Sequence, residues 1–291
     1  MENMIKKVAT IHDLSGFGRA SLTAIIPTLS TMGVQVCPLP TAILSNHTGG
    51  FDKFSYVDLT DTMDNYINHW KEIGIDFDCI YSGFLGSSKQ IDIVSNFIKD
   101  FKRDNTLVVV DPVMGDNGGF YASFDWDFVP YMKKLITKAD VITPNFTEAA
   151  FLNGLKVAPK KVSKEELKKW LKTLSDMGPK IVVITSVPDE NDSTKTDVVA
   201  YNKESDAYWK LSCKYIPAQY PGTGDIFASV MIGSLLEGES LPVALDRAVQ
   251  FISQCIKASF GFNYPKRNGV LLERELGLLR TRPFISDYES L

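Results

Sequence analysis

The sequence lacks the marks of several common classes of protein. Its four cysteines are widely scattered and form no C-x-x-C pair, which argues against zinc sites and disulfide frameworks and fits a reducing compartment. No apolar run approaches the roughly 18 residues of a membrane-spanning helix, and the first residues carry no long apolar segment of the secretory type. The formal net charge of −4 provides no basic surface for nucleic acid. We therefore expect a cytoplasmic protein that binds neither membrane nor nucleic acid.

Two nucleotide-binding motifs are absent as well. Neither G-x-x-x-x-G-K-[ST] nor G-x-G-x-x-G occurs, which counts against a P-loop NTPase and against a Rossmann dehydrogenase. The composition is otherwise ordinary for a globular protein: of 291 residues, 44% are hydrophobic and 23% are charged, enough to bury a sizeable core. The chain has no internal repeat and no long linker. We expect one domain over residues 1–291, with a loose tail at about 281–291.

Strand and helix patterns alternate along most of the chain, which predicts an α/β protein with a mostly parallel sheet and helices on both faces. The predicted strands cover residues 8–11, 34–37, 41–44, 79–81, 106–110, 140–142 and 180–184, followed by a hairpin of 197–201 and 208–211. The predicted helices cover 19–32, 62–73, 89–103, 127–138, 164–177, a segment starting at Asp225, 241–260 and 271–279. The parallel strands end in polar or glycine loops, and ligands of open α/β sheets bind beyond the carboxyl ends of such strands. We therefore expect the functional residues in these loops.

The segment Gly-Thr-Gly-Asp at 222–225 leads directly into an apolar helix. The N–H groups at a helix start have no partner within the helix and carry partial positive charge, which suits an oxyanion or a phosphate. Asp225 lies in the first turn, where it could take a proton from an attacking hydroxyl. A general base of this kind contributes a rate factor on the order of 10² to 10⁴. The alternative is an N-cap whose glycines only turn the chain.

Carboxylates follow two of the predicted strands. Asp111 and Asp116 flank the turn after the most apolar strand, and Glu148 follows Asn145 by three residues after another strand. Because carboxylates are costly to bury unpaired, a cation is expected among them. Mg²⁺ fits, since it keeps most of its waters and binds one or two carboxylates together with substrate phosphates. The alternatives are a strand-end cap for Asp111, and a cap of the following helix for Asn145 and Glu148.

Two other loops carry candidate substrate-binding groups. The loop Ser-Gly-Phe-Gly at 15–18 suits close packing against a small substrate, with Asp13 or Ser15 as the hydrogen-bonding group. His47 lies in a polar loop at the end of a predicted strand. It is interpreted either as a ligand contact or as a surface histidine.

Five motifs together resemble those of a known family. The segment 222–225 is similar to the anion-hole and catalytic-base motif of the ribokinase superfamily, and Asn-Phe-Thr-Glu at 145–148 resembles its N-x-x-E metal motif. The segments 111–116, 45–48 and 82–86 resemble the pyridoxal kinase branch more specifically. Their order and spacing match that branch from about residue 8 to residue 260. The resemblance implies a ribokinase-like three-layer α/β/α fold with a central, mostly parallel sheet.

The same resemblance implies an activity and a set of functional residues. It implies an ATP-dependent kinase that phosphorylates the 5′-hydroxymethyl group of pyridoxal, pyridoxine or pyridoxamine, uses Mg²⁺ and often K⁺, and forms a homodimer. Asp225 would be the base, and the amides of Gly222, Thr223 and Gly224 would stabilise the developing phosphoryl charge. The groups at the nucleotide, phosphates and Mg²⁺ would be Asp111, Asp116, Asn145, Glu148, Thr185 and Ser186, with Asp111 and Glu148 at the metal. The groups around the pyridine ring would be Asp13, Ser45, His47, Thr48 and Phe84.

The sequence departs from that branch at two positions, and two alternative functions stay open. Asp13 stands about where many pyridoxal kinases have serine, and Phe84 where tyrosine is common. The nearest alternative is a hydroxymethylpyrimidine or phosphomethylpyrimidine kinase of thiamine synthesis. Such enzymes usually have a longer Gly-Ser-Asp-rich first loop and often a cysteine near the anion hole, and this sequence has neither. A non-catalytic B6-binding or nucleotide-binding protein is the second alternative, against which the intact Asp225 and Glu148 argue.

Overall fold

The computed structural model describes residues 5–281 and 288–291 of an α/β protein. Its strands are β1 (Lys7–Ser15), β2 (Gln35–Leu44), β3 (Tyr56–Asp58), β4 (Cys79–Ser82), β5 (Leu107–Val110), β6 (Gly115–Asp116), β7 (Gly119–Phe120), β8 (Val141–Ile142), β9 (Ile181–Pro188), β10 (Lys195–Asn202), β11 (Ala207–Lys214) and β12 (Glu289–Ser290). Its helices are α1 (Leu22–Thr31), α2 (Thr60–Glu72), α3 (Ser88–Phe101), α4 (Val129–Ile136), α5 (Phe146–Leu152), α6 (Lys164–Asp176), α7 (Thr223–Leu236), α8 (Leu241–Phe260) and α9 (Leu272–Glu275). Within the described ranges, none of the helices has both the length and the apolar character that crossing a membrane requires.

The described residues form two compact units. Unit 1 contains residues 5–80, 103–106 and 216–281, and unit 2 contains residues 81–102, 107–215 and 288–291. The chain passes from unit 1 into unit 2 within β4. The single domain over residues 1–291 stays a prediction. Part of the tail predicted to be loose, residues 282–287, lies outside the described residues, whereas Glu289 and Ser290 form β12.

In unit 1, β1 is buried along nearly its whole length. It pairs in parallel with β2, from Lys7 opposite Gln35 to Ser15 opposite Leu44, and β3 adds an antiparallel edge to β2. A strand that is covered on both faces is almost continuously apolar, which explains the pattern at 8–11. The polar residues at the carboxyl end of β1 are therefore carried into the interior of the unit.

Helix α7, also in unit 1, is buried on all sides over its middle. Nine consecutive residues, 226–234, are buried, and α1 and α8 pack against this helix. A helix that is apolar all round belongs to the core, because no face of it is left to water. The first turn of α7 is therefore attached to a rigid, fully packed element.

In unit 2 the strand order is β12-β11-β10-β9-β8-β5. Strands β5, β8 and β9 are parallel, and β9 to β12 continue the sheet with antiparallel pairs. The segment Leu-Val-Val-Val of β5 is buried at its last three residues, as expected of a central parallel strand. Its carboxyl end leads directly to Asp111.

The predicted α/β class with a central, mostly parallel sheet is confirmed, but several element boundaries differ. The strands predicted at 34–37 and 41–44 are one strand, β2, because Pro38 and Pro40 lie within its pairing with β1. Strand β1 continues to Ser15, and β9 continues through Thr185 and Ser186, so parts of two predicted loops are strand. Helix α5 and the short strands β3, β6 and β7 were not predicted, because segments of two to seven residues are too short to show a clear period.

Candidate active site

Helix α7 begins at a glycine that has no room for a side chain. Gly222 is its N-cap residue, with φ 80° and ψ 0°, a left-handed conformation that glycine adopts without strain. A Cβ atom at this position would lie 1.9 Å from the Arg19 carbonyl oxygen, so the backbone at residues 19–20 packs directly against Gly222. The N–H groups of the first helical turn have no partner within the helix. Together with the helix dipole, they favour an anion at this position.

Asp225 lies in this first turn, with its side chain 16% exposed. Its Oδ2 accepts a hydrogen bond from the Ser21 N–H at 2.7 Å, and its Oδ1 lies 4.0 Å from His12 Nδ1. Burial raises the pKa of Asp225 to about 7; the Ser21 N–H opposes this rise, and the negative charge of Asp13 adds to it. A pKa near neutrality suits a base that takes a proton from an alcohol at physiological pH.

Asp13 and Ser15, both predicted to bind substrate, are hydrogen-bonded to each other. Ser15 Oγ donates to Asp13 Oδ2 at 2.7 Å, and Ser21 Oγ donates to Asp13 Oδ1 at 2.5 Å. All three residues are buried. Ser21 has φ 50° and ψ −137°, a conformation that costs a residue other than glycine on the order of 1 to 3 kcal/mol. The strained Ser21 therefore contacts both the predicted base, Asp225, and Asp13.

His47 is held by the main chain on both sides of its ring. The Gly49 N–H donates to Nδ1 at 3.1 Å, so Nε2 carries the proton and donates to the Arg267 carbonyl oxygen at 2.6 Å. Burial lowers the pKa of His47, which favours this neutral form. The Phe51 ring packs edge-on against the imidazole at a centroid distance of 5.1 Å. His47 is thus fixed to the segment around Arg267 and is not a loose surface histidine.

The two neighbours of His47 in the predicted motif lie on the surface. Ser45 and Thr48 are both exposed. Ser45 Oγ accepts a hydrogen bond from the Ser55 N–H at 2.9 Å and lies 3.0 Å from Asn46 Oδ1. Within unit 1 the structure therefore brings together Gly222, Asp225, Asp13 and Ser15, whereas Ser45 and Thr48 lie outside this buried group.

In unit 2, the N-terminus of α5 is closed by a reciprocal capping box. Asn145 Oδ1 accepts the Glu148 N–H, and Glu148 Oε2 accepts the Asn145 N–H, both at 2.9 Å. Glu148 Oε1 also accepts the Met114 N–H at 3.0 Å and the Gly115 N–H at 3.4 Å. Burial raises the pKa of Glu148 to about 8, against these main-chain hydrogen bonds, and the charge of Asp116 adds to the rise. The capping role that the sequence left open is present, together with a second contact to the 114–115 turn.

Three buried oxygen-bearing side chains lie at the carboxyl ends of β4, β5 and β8, namely Ser82, Asp111 and Thr143. Asp111 is 7% exposed and its N–H donates to the Ser82 carbonyl oxygen at 2.8 Å, while the Thr143 N–H donates to the Val110 carbonyl oxygen at 3.2 Å. The hydroxyl oxygens of Ser82 and Thr143 are buried and have no hydrogen-bond partner in the described part of the chain. Over the same residues, no group of three or more histidines, cysteines, aspartates or glutamates is arranged as a metal site. The polar atoms here are hydroxyls next to a single carboxylate.

The remaining predicted residues of unit 2 are more exposed. Thr185 forms a parallel bridge with Asn145, which places it beside the capping box. Ser186 is exposed and has φ 58°, a left-handed conformation. Phe84 is partly buried, and its ring centroid lies 5.5 Å from that of Phe124, so the ring belongs to an aromatic cluster. Asp116 is an exposed residue of the β6–β7 hairpin.

Sequence reasoning did not select three residues that contact the site. His12 lies in a buried strand, where a histidine gives no sign of the carboxylate beside it. Ser21 adopts a positive φ, and positive φ is expected mainly of glycine, asparagine or aspartate and not of serine. Arg267 contacts His47 through its carbonyl oxygen, which every residue carries. None of these contacts has a signal in the sequence.

Comparison with known proteins gives consistent matches over nearly the whole chain. The family described as "Phosphomethylpyrimidine kinase" matches residues 15–270. A pyridoxal kinase of Dictyostelium discoideum is 28% identical over 98% of this chain and 97% of its own length. A solved structure of a putative phosphomethylpyrimidine kinase from Bacteroides thetaiotaomicron, in a crystal form with pyridoxal, is 54% identical, covers 99% of this chain and 100% of that chain, and has a TM-score of 0.95.

A further solved structure, the pyridoxal kinase of Lactobacillus plantarum, is 31% identical, covers 94% of this chain and 96% of that chain, and has a TM-score of 0.85. These matches confirm the predicted ribokinase-like fold and the resemblance to pyridoxal kinases. They also confirm that the chain is an enzyme, a phosphotransferase that acts on an alcohol group. The chain belongs to the family described as "Phosphomethylpyrimidine kinase", and it is similar to pyridoxal kinases in sequence and fold.

Proposed function

We propose that this protein phosphorylates the 5′-hydroxymethyl group of a B6 vitamer, pyridoxal, pyridoxine or pyridoxamine, with ATP as the phosphoryl donor. The observation that carries the proposal is the relative that is 54% identical over nearly the whole chain and crystallised with pyridoxal. Asp225, with a pKa raised to about 7 at the N-terminus of a buried helix, supplies the base that such a reaction needs. Family membership favours this enzymatic role over non-catalytic binding.

In this proposal, the N-terminal turn of α7 performs the chemistry on the alcohol. Asp225 takes the hydroxyl proton as the oxygen attacks the γ-phosphorus of ATP. The N–H groups of residues 222–224 stabilise the negative charge that develops on the transferred phosphoryl group. Because phosphoryl transfer depends mainly on positioning and charge stabilisation, these amides and the cation supply most of the rate effect.

Unit 2 supplies oxygen atoms that fit Mg²⁺. Three main-chain N–H groups already occupy both oxygens of Glu148, so this side chain has little free lone-pair capacity and would contact the ion mainly through water. Both oxygens of the exposed Asp116 also accept hydrogen bonds, from the Asn117 N–H and side-chain amide, so we propose that Asp111 and Glu148 hold the ion, directly or through its waters. Mg²⁺ would neutralise the phosphate oxygens of ATP. Asn145, Thr185 and Ser186 are proposed to contact the nucleotide.

A monovalent cation such as K⁺ also has support in unit 2. The hydroxyl oxygens of Ser82 and Thr143 are buried and have no hydrogen-bond partner among the described residues, and the Asp111 carboxyl follows the neighbouring strand. Buried hydroxyls normally have a partner, so this arrangement fits a bound cation or water. K⁺ bound here would add positive charge on the nucleotide side of the reaction.

The substrate contacts, the oligomeric state and the location in the cell are proposed from the resemblance. Asp13, Ser15, Ser45, His47, Thr48 and Phe84 are the residues proposed to contact the vitamer. Asp13 and His47 are buried, and their polar atoms are already hydrogen-bonded within the protein, so their contacts with the vitamer rest on the resemblance alone. We also propose a cytoplasmic homodimer.

The second candidate function is phosphorylation of hydroxymethylpyrimidine or its phosphate, which the description of the matching family favours. The two functions are tested together by measuring ADP release from Mg-ATP with pyridoxal, pyridoxine, pyridoxamine and hydroxymethylpyrimidine, in K⁺ and in Na⁺. We expect a higher kcat/KM for a B6 vitamer and faster turnover in K⁺. The Asp225→Asn variant controls for contaminating kinases. A clear preference for the pyrimidine would contradict the B6 assignment and leave the catalytic residues unchanged.

A further inference from the structure

Ser21 joins Asp13 to Asp225 with all its polar groups engaged. Its N–H donates to Asp225 Oδ2 at 2.7 Å, and its hydroxyl donates to Asp13 Oδ1 at 2.5 Å. Its carbonyl oxygen accepts the Ala24 and Ile25 N–H groups at 3.0 and 2.9 Å, which begins helix α1. The position of the Asp225 carboxylate is thus coupled to the backbone of one residue.

The backbone conformation of Ser21 needs support, because a serine at φ 50° is strained and relaxes to negative φ unless contacts hold it. Two contacts supply this support. The hydroxyl is tied to the buried Asp13, and the preceding residues are confined, since a Cβ at Gly222 would lie 1.9 Å from the Arg19 carbonyl oxygen and one at Gly269 would lie 2.9 Å from Arg19 Cβ. Rotation of Ser21 to negative φ would turn its N–H away from Asp225.

We propose that Ser21 is a positioning residue for phosphoryl transfer: its N–H holds Oδ2 of the Asp225 base, and its hydroxyl, anchored on Asp13, maintains the backbone conformation that presents this N–H. The inference rests on the proposed function and deepens it. With Oδ2 engaged, Oδ1 is the oxygen that receives the proton of the substrate hydroxyl. The substrate oxygen then forms its bond to the γ-phosphorus as the bond from that phosphorus to the ADP oxygen breaks.

Other titratable groups face Asp225 and must be considered in any pH profile. His12 and Asp13 face it from β1, whereas α1 carries no titratable side chain. On α8, Arg247 is directed to Glu237, the C-cap residue at the opposite end of α7. A test that changes only Ser21 leaves all of these groups in place.

The test compares two substitutions that remove the same hydroxyl. Ser21→Gly adopts a positive φ without strain, so its N–H stays on Asp225. In Ser21→Ala a positive φ is still strained, and the hydroxyl that bonds to Asp13 is gone. We therefore expect the backbone to relax to negative φ, so that the charged Asp225 carboxylate loses the hydrogen bond from the N–H of residue 21. Since a hydrogen bond to the charged form lowers the pKa of a carboxyl group, we expect its loss in Ser21→Ala to move the acid limb of the kcat profile up by about one pH unit. At pH 6 its kcat falls about tenfold, whereas Ser21→Gly stays within about twofold of the wild type.

A carboxyl ¹³C titration of aspartate-labelled protein, with the Asp225 signal assigned from Asp225→Asn, measures the same pKa without substrate. We expect the pKa of Asp225 to rise in Ser21→Ala and to stay at the wild-type value in Ser21→Gly. This measurement separates the positioning role from the proposed function. If the pKa of Asp225 rises in Ser21→Ala and not in Ser21→Gly, while the protein phosphorylates none of the three vitamers or hydroxymethylpyrimidine, the positioning role is supported and the proposed function is overturned.

Asp206, an exposed-turn residue with φ 48°, provides the matched control. The difference in unfolding temperature between Asp206→Ala and Asp206→Gly measures the cost of alanine at a positive φ away from the site. We expect both variants to keep the wild-type pH profile of kcat.

Equal loss of kcat in Ser21→Ala and Ser21→Gly would overturn the positioning role, because the hydroxyl itself would then be the essential group. No change in either variant would overturn it as well. If Ser21→Ala does not fold, Ser21→Gly decides alone: a raised Asp225 pKa in that variant contradicts the proposal.

Discussion

Asp225 in unit 1 and Glu148 in unit 2 are carboxylates in the first turn of a helix, and they differ in how many N–H groups they accept. Glu148 is buried, and Asp225 is largely buried. Burial raises the pKa of both, to about 7 for Asp225 and to about 8 for Glu148. Among the described residues, the Asp225 carboxylate accepts one main-chain N–H, from Ser21. The Glu148 carboxylate accepts three, from Asn145, Met114 and Gly115. A raised pKa therefore marks both sites, and the number of hydrogen bonds distinguishes an oxygen free to react from one already committed.

The difference follows from the position of each residue relative to its helix. Glu148 is the N3 residue of α5 and reaches back to the N-cap residue Asn145, which closes the helix end. Helix α7 has Gly222 at its N-cap position, which offers no side chain to cap the first N–H groups. Over the part of the chain that the structure describes, the Asp225 side chain makes no reciprocal bond to the N-cap residue. A capped helix end binds the chain itself, whereas an uncapped one leaves its N–H groups for a ligand.

The largest effect that separates the two carboxylates is on turnover. We expect Asp225→Asn to lower kcat by about 10³, because the variant keeps the shape and loses the proton acceptor. We expect Glu148→Gln to lower kcat by only about tenfold, since the amide oxygen keeps the N–H groups on one side, while the amide NH₂ faces an N–H donor on the other. Steady-state ADP release at saturating Mg-ATP measures both, with ATP and pyridoxal binding by calorimetry as the control for intact sites. Equal losses in the two variants would remove the distinction drawn here.

A somewhat smaller loss of kcat is expected when a side chain is placed at the uncapped N-terminus of α7. Gly222→Ala places a Cβ 1.9 Å from the Arg19 carbonyl oxygen and must displace the loop and its N–H groups. Loss of one oxyanion donor typically costs about 10² to 10³ in kcat. The matched control is Gly238→Ala, at φ 88° with nothing within 4 Å of the added Cβ, which carries the conformational strain without the clash. The same loss of kcat in both variants would assign the effect to strain alone.

The smallest expected difference between Asp225 and Glu148 is in the pH dependence of the free energy of unfolding. Because the pKa of Asp225 is raised from 3.8 to about 7, the native state binds more protons than the unfolded state between about pH 4 and 7, so the free energy of unfolding falls as pH rises through that window. For Glu148 the fall continues to about pH 8. We expect Asp225→Asn and Glu148→Gln each to remove its own part of this fall, at most about 4 to 5 kcal/mol, in these different windows. Urea unfolding of the wild type and both variants at pH 4, 6 and 8 measures these free energies. Plots of the free energy of unfolding against pH that run parallel to that of the wild type would contradict the raised pKa values.

Much of the fold follows from the sequence because long periodic segments are decided by the burial of their own side chains. Helix α8 occupies the predicted residues 241–260, and the hairpin of β10 and β11 contains both predicted strands. The alternation of strands and helices was enough to predict the α/β class, and the Gly-Thr-Gly-Asp segment was enough to predict a loop followed by a buried helix.

The rest depends on long-range contacts that no local pattern records. The capping box of Asn145 and Glu148 is local and was anticipated as an alternative, but the bond from Met114 to Glu148 joins residues 34 apart. The bond from the Ser21 N–H to Asp225 spans 204 positions and uses a main-chain donor that any residue but proline could supply. Residue type therefore selected these carboxylates as candidates, and only the structure distinguished their environments.

The contact between His47 and Gly18 limits how this protein can diverge. A Cβ atom at Gly18 would lie 2.3 Å from His47 Cδ2, and Gly18 has φ 95°, so the imidazole ring occupies the space that any side chain at position 18 would need. The ring is in turn fixed by the Arg267 carbonyl oxygen and the Gly49 N–H. A side chain at position 18 would therefore have to displace this fixed ring, and it would also be strained at φ 95°. Histidine at position 47 in this orientation thus leaves room only for glycine at position 18.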